Sequence, residues 1–443
     1  MNIENNSEYV SPYIPNTNLD RQKMLKIIGV KRIDDLFKDI PSDYLNPNLN
    51  LAEPMSEFEL KKYIDAICSM NIVPGEYSSF LGAGSYQHHI PSIVNQLSTR
   101  SEYMTSYTPY QPEVSQGTLQ TEYEFQSLCC LLTNMEVANA GMYDGSTALA
   151  EAALMSARIN KKNKIAILDT VSPTYIEILK TYTQYQGISI YIVNENEINL
   201  EEDTTCLIVQ NPNFYGNIDD MKQFAKIAHQ NEALLISYTD AMSLGMFIPP
   251  GDYDADIAVS EGQTMGVPTS FGGPYVGIFT CKKKYIRQMP GRIVGKTIDT
   301  KGNTAYVLTL QTREQHIRRE NATSNICTSV ALIALMSTIY MASLGKKGIK
   351  HIAELCYQKA HYASELIKKI PGYSLLSDNI FFREFTIICP RSPKEINKIL
   401  LKEKIIGGLD ISNKIKNGML LSFTEVNSKE DIDNLIKTLS KIK

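Results

Sequence analysis

The sequence has no lysine between Lys226 and Lys282, no charged residue from Asn321 to Gly345, and no C-x-x-C pair among its eight cysteines. Unpaired cysteine spacing argues against both a zinc site and a disulfide frame, and reduced thiols fit a cytoplasmic protein. A net charge of −4 gives no electrostatic reason to expect nucleic acid or an anionic membrane as partner. The opening MNIENNSEYV lacks the basic and apolar regions of a secretory signal. The uncharged stretch is interrupted throughout by Ser, Thr and Asn, so it reads as a buried core helix rather than a membrane span.

Within 443 residues, 43% hydrophobic and 21% charged, there is room for two or three domains around a substantial core. Residues 1–75 read as a helical arm. Thr17 with Asp20 can cap a helix through Met24 and Ile28 that Gly29 closes, and Ser56 with Glu59 forms a capping box for another through Ile64 and Ile67. Residues 76–345 read as a large α/β domain. Its strands are expected at 164–169, 189–193, 206–210, 234–238 and 256–260, with helices near 173–186, 217–230 and 241–247 between them. That alternation implies a mostly parallel sheet, with ligands bound beyond the carboxyl ends of its strands. Lys346-Lys347-Gly348 marks a boundary to a small α+β domain, 346–443.

Several places carry polar groups suited to chemistry. FLGAGSYQHHIPS sets Ser85, Tyr86, His88 and His89 among glycines, and YTPYQPEVSQGT presents Tyr107, Tyr110, Gln111 and Glu113. Loops of this texture are where sites and interfaces concentrate. Adjacent His88 and His89 diverge in any regular backbone, so no shared metal is expected. Gly145, Ser146 and Thr147 begin a small-residue helix whose N–H groups suit a phosphate, although a plain helix cap explains the same letters. Asp240 follows a strand, where an acid can pair with a pyridinium nitrogen or cap a helix.

The missing lysine matters most in DADIAVSEGQTMGVPTSFGGPYVG, residues 254–277, which reads as strand, glycine loop, strand. In enzymes that hold pyridoxal phosphate (PLP) on a large α/β domain, such a loop carries the lysine whose primary amine forms the imine. Here the loop offers Ser260, Glu261, Gly262 and Gln263. Either the chain is unrelated to that chemistry or the lysine sits on another polypeptide.

Five segments decide between these. GAGSYQHHIPS (82–92), YTPYQPEVSQGTLQTEYEFQ (107–126), MYDGSTALAEA (142–152), EGQTMGVPTSFGGPYVG (261–277) and REQHIRRENATSNICT (313–328) closely resemble the P-protein, or glycine decarboxylase, family of the glycine cleavage system. The likeness is to the first, α, subunit of the two-subunit bacterial form, from Thr17 onward. It implies an α/β, PLP-dependent transferase-like (fold type I) large domain with a mostly parallel sheet, an N-terminal helical segment and a small C-terminal α+β domain.

The resemblance also implies that the β subunit carries the PLP lysine, in a His-Lys-Thr segment before its own glycine loop. Setting Gly272-Gly273-Pro274 against the end of that loop brings Gln263 to the lysine position. This chain is therefore expected to hold no PLP covalently. The implied reaction decarboxylates glycine, releases CO2 and passes the aminomethyl group to the lipoyl arm of the H-protein, in an α2β2 assembly. Ser85, Tyr86, His88, Tyr107, Tyr110, Gln111 and Glu113 are the groups expected at a shared site or interface. Ser146, Thr147, Asp240 and Gln263 would mark a vestigial cofactor pocket. A self-sufficient aminotransferase or lyase and a non-catalytic scaffold are the alternatives. Asn321, Ser329 and Val330 depart from the family's wording and read as drift at an interface.

Overall fold

The computed structural model describes residues 13, 16–45, 47–72, 75–326 and 330–442, and its contacts separate two units, Met1–Ile72 and Val73–Lys443. The first unit holds α1 (Asn18–Ile28) and α2 (Glu57–Cys68). Both start with the capping box read from the sequence: Thr17 and Ser56 accept from the backbone N–H groups of Asp20 and Glu59, whose carboxylates bind back. Gly29 ends α1 in the left-handed region at φ 86°. None of the unit's described residues is buried.

The second unit is built on seven strands: β1 (Val137–Ala138), β2 (Lys164–Leu168), β3 (Ser189–Val193), β4 (Thr204–Asn211), β5 (Leu234–Asp240), β6 (Ile257–Glu261) and β7 (Gly277–Cys281). They lie in the order β1-β7-β6-β5-β4-β2-β3. Strands β2 to β6 are parallel, while β7 runs antiparallel to both its neighbours. Near-continuous runs such as CLIV and LLIS are needed here because both faces are covered. Ile165, Ile167, Leu207, Val209, Leu235 and Val259 are all buried.

The covering helices are α3 (Gln116–Thr133), α4 (Gly145–Asn160), α5 (Pro173–Thr183) and α6 (Met221–Gln230). The last starts later than the expected residue 217, because Asn217 is bridged to Phe381 and Asp220 supplies the cap. A hairpin, Ile293–Ile298 with Thr304–Thr309, follows the sheet. The uncharged stretch then enters a long helix, α7 (Ala331–Ile367), which breaks at Gly345 (φ 58°, ψ −177°), one residue before the lysine pair. Beyond it a small C-terminal domain forms a four-stranded antiparallel sheet. No helix among the described residues is long and apolar enough to cross a membrane. Ser329 lies outside the described residues; Asn321 is exposed and Val330 partly buried.

Candidate functional site

The carboxyl ends of β5 and β6 and the N-terminus of α4 meet at one edge of the sheet. Gly145 opens α4 because a side chain there would strike its neighbours: a Cβ would stand 2.7 Å from both the Glu261 backbone nitrogen and the Tyr238 hydroxyl. The free N–H groups and positive dipole of this helix end attract an anion. The chain supplies its own. Asp144 Oδ1 accepts from the Thr147 N–H at 2.9 Å and from the Ser146 hydroxyl at 2.5 Å. Glu261 Oε2 accepts from the Gly145 N–H at 2.8 Å, and its Oε1 from the Gln263 N–H at 3.0 Å. Burial, against these donated bonds and with Asp144 adding to it, pushes the Glu261 carboxyl up to about 8.

Gln263 is 1% exposed and its amide is fully engaged. Oε1 accepts from the Tyr86 N–H at 2.9 Å, while Nε2 donates to the carbonyls of Tyr86 at 2.9 Å and Val267 at 2.8 Å. An amide can both give and receive here, which an ammonium cannot. Asp240 ends β5, where Oδ1 accepts from the Met242 N–H at 2.9 Å and Oδ2 lies 2.5 Å from Nη2 of Arg383.

Arg383, 1% exposed, comes from the small domain and organises the rest. Its guanidinium lies 3.4 Å from the centre of the Tyr86 ring, and Nη1 donates to Nε2 of His88 at 2.6 Å. Since arginine has no acceptor, His88 must be neutral with its proton on Nδ1, which donates to Glu425 at 2.6 Å. Burial holds the imidazole below its ordinary range, outweighing the pull of Glu425 and reinforced by Arg383. The Tyr86 hydroxyl donates to Glu384 at 2.6 Å, and Glu384 also accepts from the Ala83 N–H. His88, Cys356 and Glu425 bring ligand-type atoms within 4.8 Å of one another. Both ring nitrogens of His88 are already in use, so the group offers a metal no free imidazole.

Tyr175 and Tyr238 fill the space in front of this network, hydroxyls 2.8 Å apart. The remaining cavity, lined by Gly84, Tyr86, Tyr238, Asp240, Glu261 and Arg383 among others, measures about 40 Å³. Cofactor pockets run from roughly 300 Å³ upward. A PLP molecule does not fit this chain's own pocket. The N–H groups that begin α4 already have Asp144 and Glu261 as acceptors, Asp240 is paired with Arg383, and among the described residues no lysine lines the cavity.

The two groups of loop residues are placed differently. Ser85 bonds the Tyr275 hydroxyl at 2.7 Å, and Tyr86 and His88 face inward to the network just described. Tyr107, Tyr110, Gln111 and Glu113 are exposed, and the Tyr110 hydroxyl accepts from Arg292 at 3.4 Å. Reading the sequence missed Arg383, Glu384, Glu425, Tyr175 and Tyr238. The first three lie 295 to 337 residues from the loop residues they bind, and no local pattern announces them. Glu261 was in view beside the absent lysine, but its role as an acceptor for the first N–H of α4 was not.

The architecture is that of fold type I PLP enzymes. A solved C-DES mutant with glycine covalently linked to the PLP cofactor matches at a TM-score of 0.61 and 14% identity, over 83% of this chain and 97% of that one. The sequence profile of the glycine cleavage system P-protein family matches residues 11–439. A probable glycine dehydrogenase (decarboxylating) subunit 1 from Thermomicrobium roseum is 47% identical, over 96% of this chain and 98% of that protein. A crystal structure of glycine decarboxylase (P-protein) of the glycine cleavage system, in inhibitor-bound form, superposes at a TM-score of 0.92 with 37% identity, covering 98% of this chain and 100% of the other. This chain belongs to the glycine cleavage system P-protein family.

Proposed function

We propose that the chain is the first subunit of a two-subunit, cytoplasmic glycine decarboxylase and works only with a second subunit that carries the PLP lysine. The observation that carries this reading is Gln263: the amide stands where an imine lysine is looked for, and three hydrogen bonds to Tyr86 and Val267 occupy it. Decarboxylation and transfer of the aminomethyl group to the lipoylated H-protein then belong to the partner's site. This chain's part is to present the 107–113 loop, whose Tyr107, Tyr110, Gln111 and Glu113 side chains are exposed, to a shared site. Two copies of each subunit make the assembly.

The experiment is glycine-dependent CO2 exchange with lipoylated H-protein and PLP, first for this chain alone and then with the second subunit. Exchange only in the mixture is the expected result. Exchange by this chain alone would overturn the reading and direct the search to another lysine.

A further inference from the structure

Glu122 sits in the middle of α3, 0% exposed, and among the described residues neither carboxyl oxygen has a hydrogen-bond partner. A buried carboxyl left in this state is costly, and an unpaired one in a folded chain calls for a missing partner. It lines a cavity of about 30 Å³ together with Tyr103, Ser106, Tyr107, Thr118 and Leu332. Of the residues that line it, Tyr107 and Leu332 expose 75% and 36% of their surfaces. A desolvated charge ringed by apolar and aromatic groups is how interface hot spots are built. The cavity's wall is also the start of the exposed loop assigned above to the shared site.

Resting on the two-subunit reading, we propose that this cavity is a socket for one lysine ammonium of the second subunit, with Glu122 as its buried counter-charge. The volume has room for a compact ammonium head group, whose three donors can be shared between the carboxyl and the hydroxyls of the wall. The charged groups facing Glu122 are Arg292 and Glu314, with Tyr103 and Tyr107 at the cavity wall. Burial pushes the carboxyl up to about 7, Arg292 opposing and Glu314 adding to the effect. An ammonium seated beside it reverses that shift, so assembly near neutral pH must expel protons.

The test is calorimetric association of this chain with its second subunit at pH 7, in two buffers of different ionisation enthalpy. Wild type is expected to release about half a proton per site. Glu122→Gln and Glu122→Leu are expected to associate about thirtyfold more weakly or worse, and to release none. Equal affinity and equal proton counts in all three would overturn the socket and leave a water in the cavity. Proton release on adding glycine alone would overturn it as well, placing the substrate amine there. Failure of wild type to associate at all would instead overturn the two-subunit reading.

Discussion

Nη2 of Arg383 lies 2.5 Å from Oδ2 of Asp240, joining the small domain to the end of β5 in the large sheet. Each of these charged side chains has the other as its ion-pair partner. Removing one partner of a buried pair strands the other's charge, at a cost of roughly 3–5 kcal/mol. Asp240→Ala is therefore expected to lower the stability of the isolated chain by that amount. Asp240→Leu combined with Arg383→Leu should recover much of the loss. Urea unfolding of the single and double variants checks this, and a double variant no better than the single would refute it.

Restoring the lysine alone should not restore cofactor binding. In Gln263→Lys the helix end is still filled by Asp144 and Glu261, and the cavity of about 40 Å³ still has to open. The new ammonium would also lose the acceptor that Gln263 offers the Tyr86 N–H. The expected result is a folded but less stable chain that gains no visible absorbance on incubation with PLP. A band of lysine-bound pyridoxal appearing in this single variant would contradict the assignment of a closed pocket.

Glu261 gives the chain a pH dependence of definite sign. Its folded value is raised from 4.5 to about 8, so the folded chain holds a proton that the unfolded chain gives up. The group's contribution to stability is fully present below about pH 4.5 and is lost progressively as pH rises to about 8. Glu261→Gln keeps an acceptor for the Gly145 N–H and removes the titration. Unfolding midpoints at pH 6 and pH 8 should converge in the variant relative to wild type. An unchanged difference would mean that the carboxyl is not desolvated as described.

How far the sequence could be read follows from where each feature's cause lies. Strands β2, β4, β5 and β6 were legible because each is a buried apolar run, and both capping boxes because their residues are three apart; the two-residue β1 has no such run and was not read. The missing lysine was legible because an absence is a fact of composition, and Gln263 was singled out within that gap by the resemblance to the P-protein family. The arginine that binds Asp240 was not, since Arg383 sits just before a strand (Glu384–Ile388) of the small domain and gains its meaning only from the pairing. Glu122 was hidden for a related reason. On paper it is one polar residue in an apolar-rich helix, and only packing shows that it is buried with no hydrogen-bond partner among the described residues.

The seven loop residues divide into two sets that should fail in different ways. His88 is a joint: its side chain is 2% exposed and spans Glu425 and Arg383 with two short hydrogen bonds. His88→Phe breaks both bonds and leaves Glu425 and Arg383 each with one buried partner fewer, so its expected effect is a lowered melting temperature of this chain on its own. Tyr110, Gln111 and Glu113 are exposed, so alanine there should leave the melting of the isolated chain within a degree or two, on the scale of surface substitutions. If the 107–113 loop reaches the shared site, those same variants lower glycine-dependent CO2 exchange in the reconstituted enzyme at saturating second subunit, by about tenfold or more for one lost transition-state contact. Unaltered exchange in all three would reduce the loop to a spacer and favour a scaffold role for the chain.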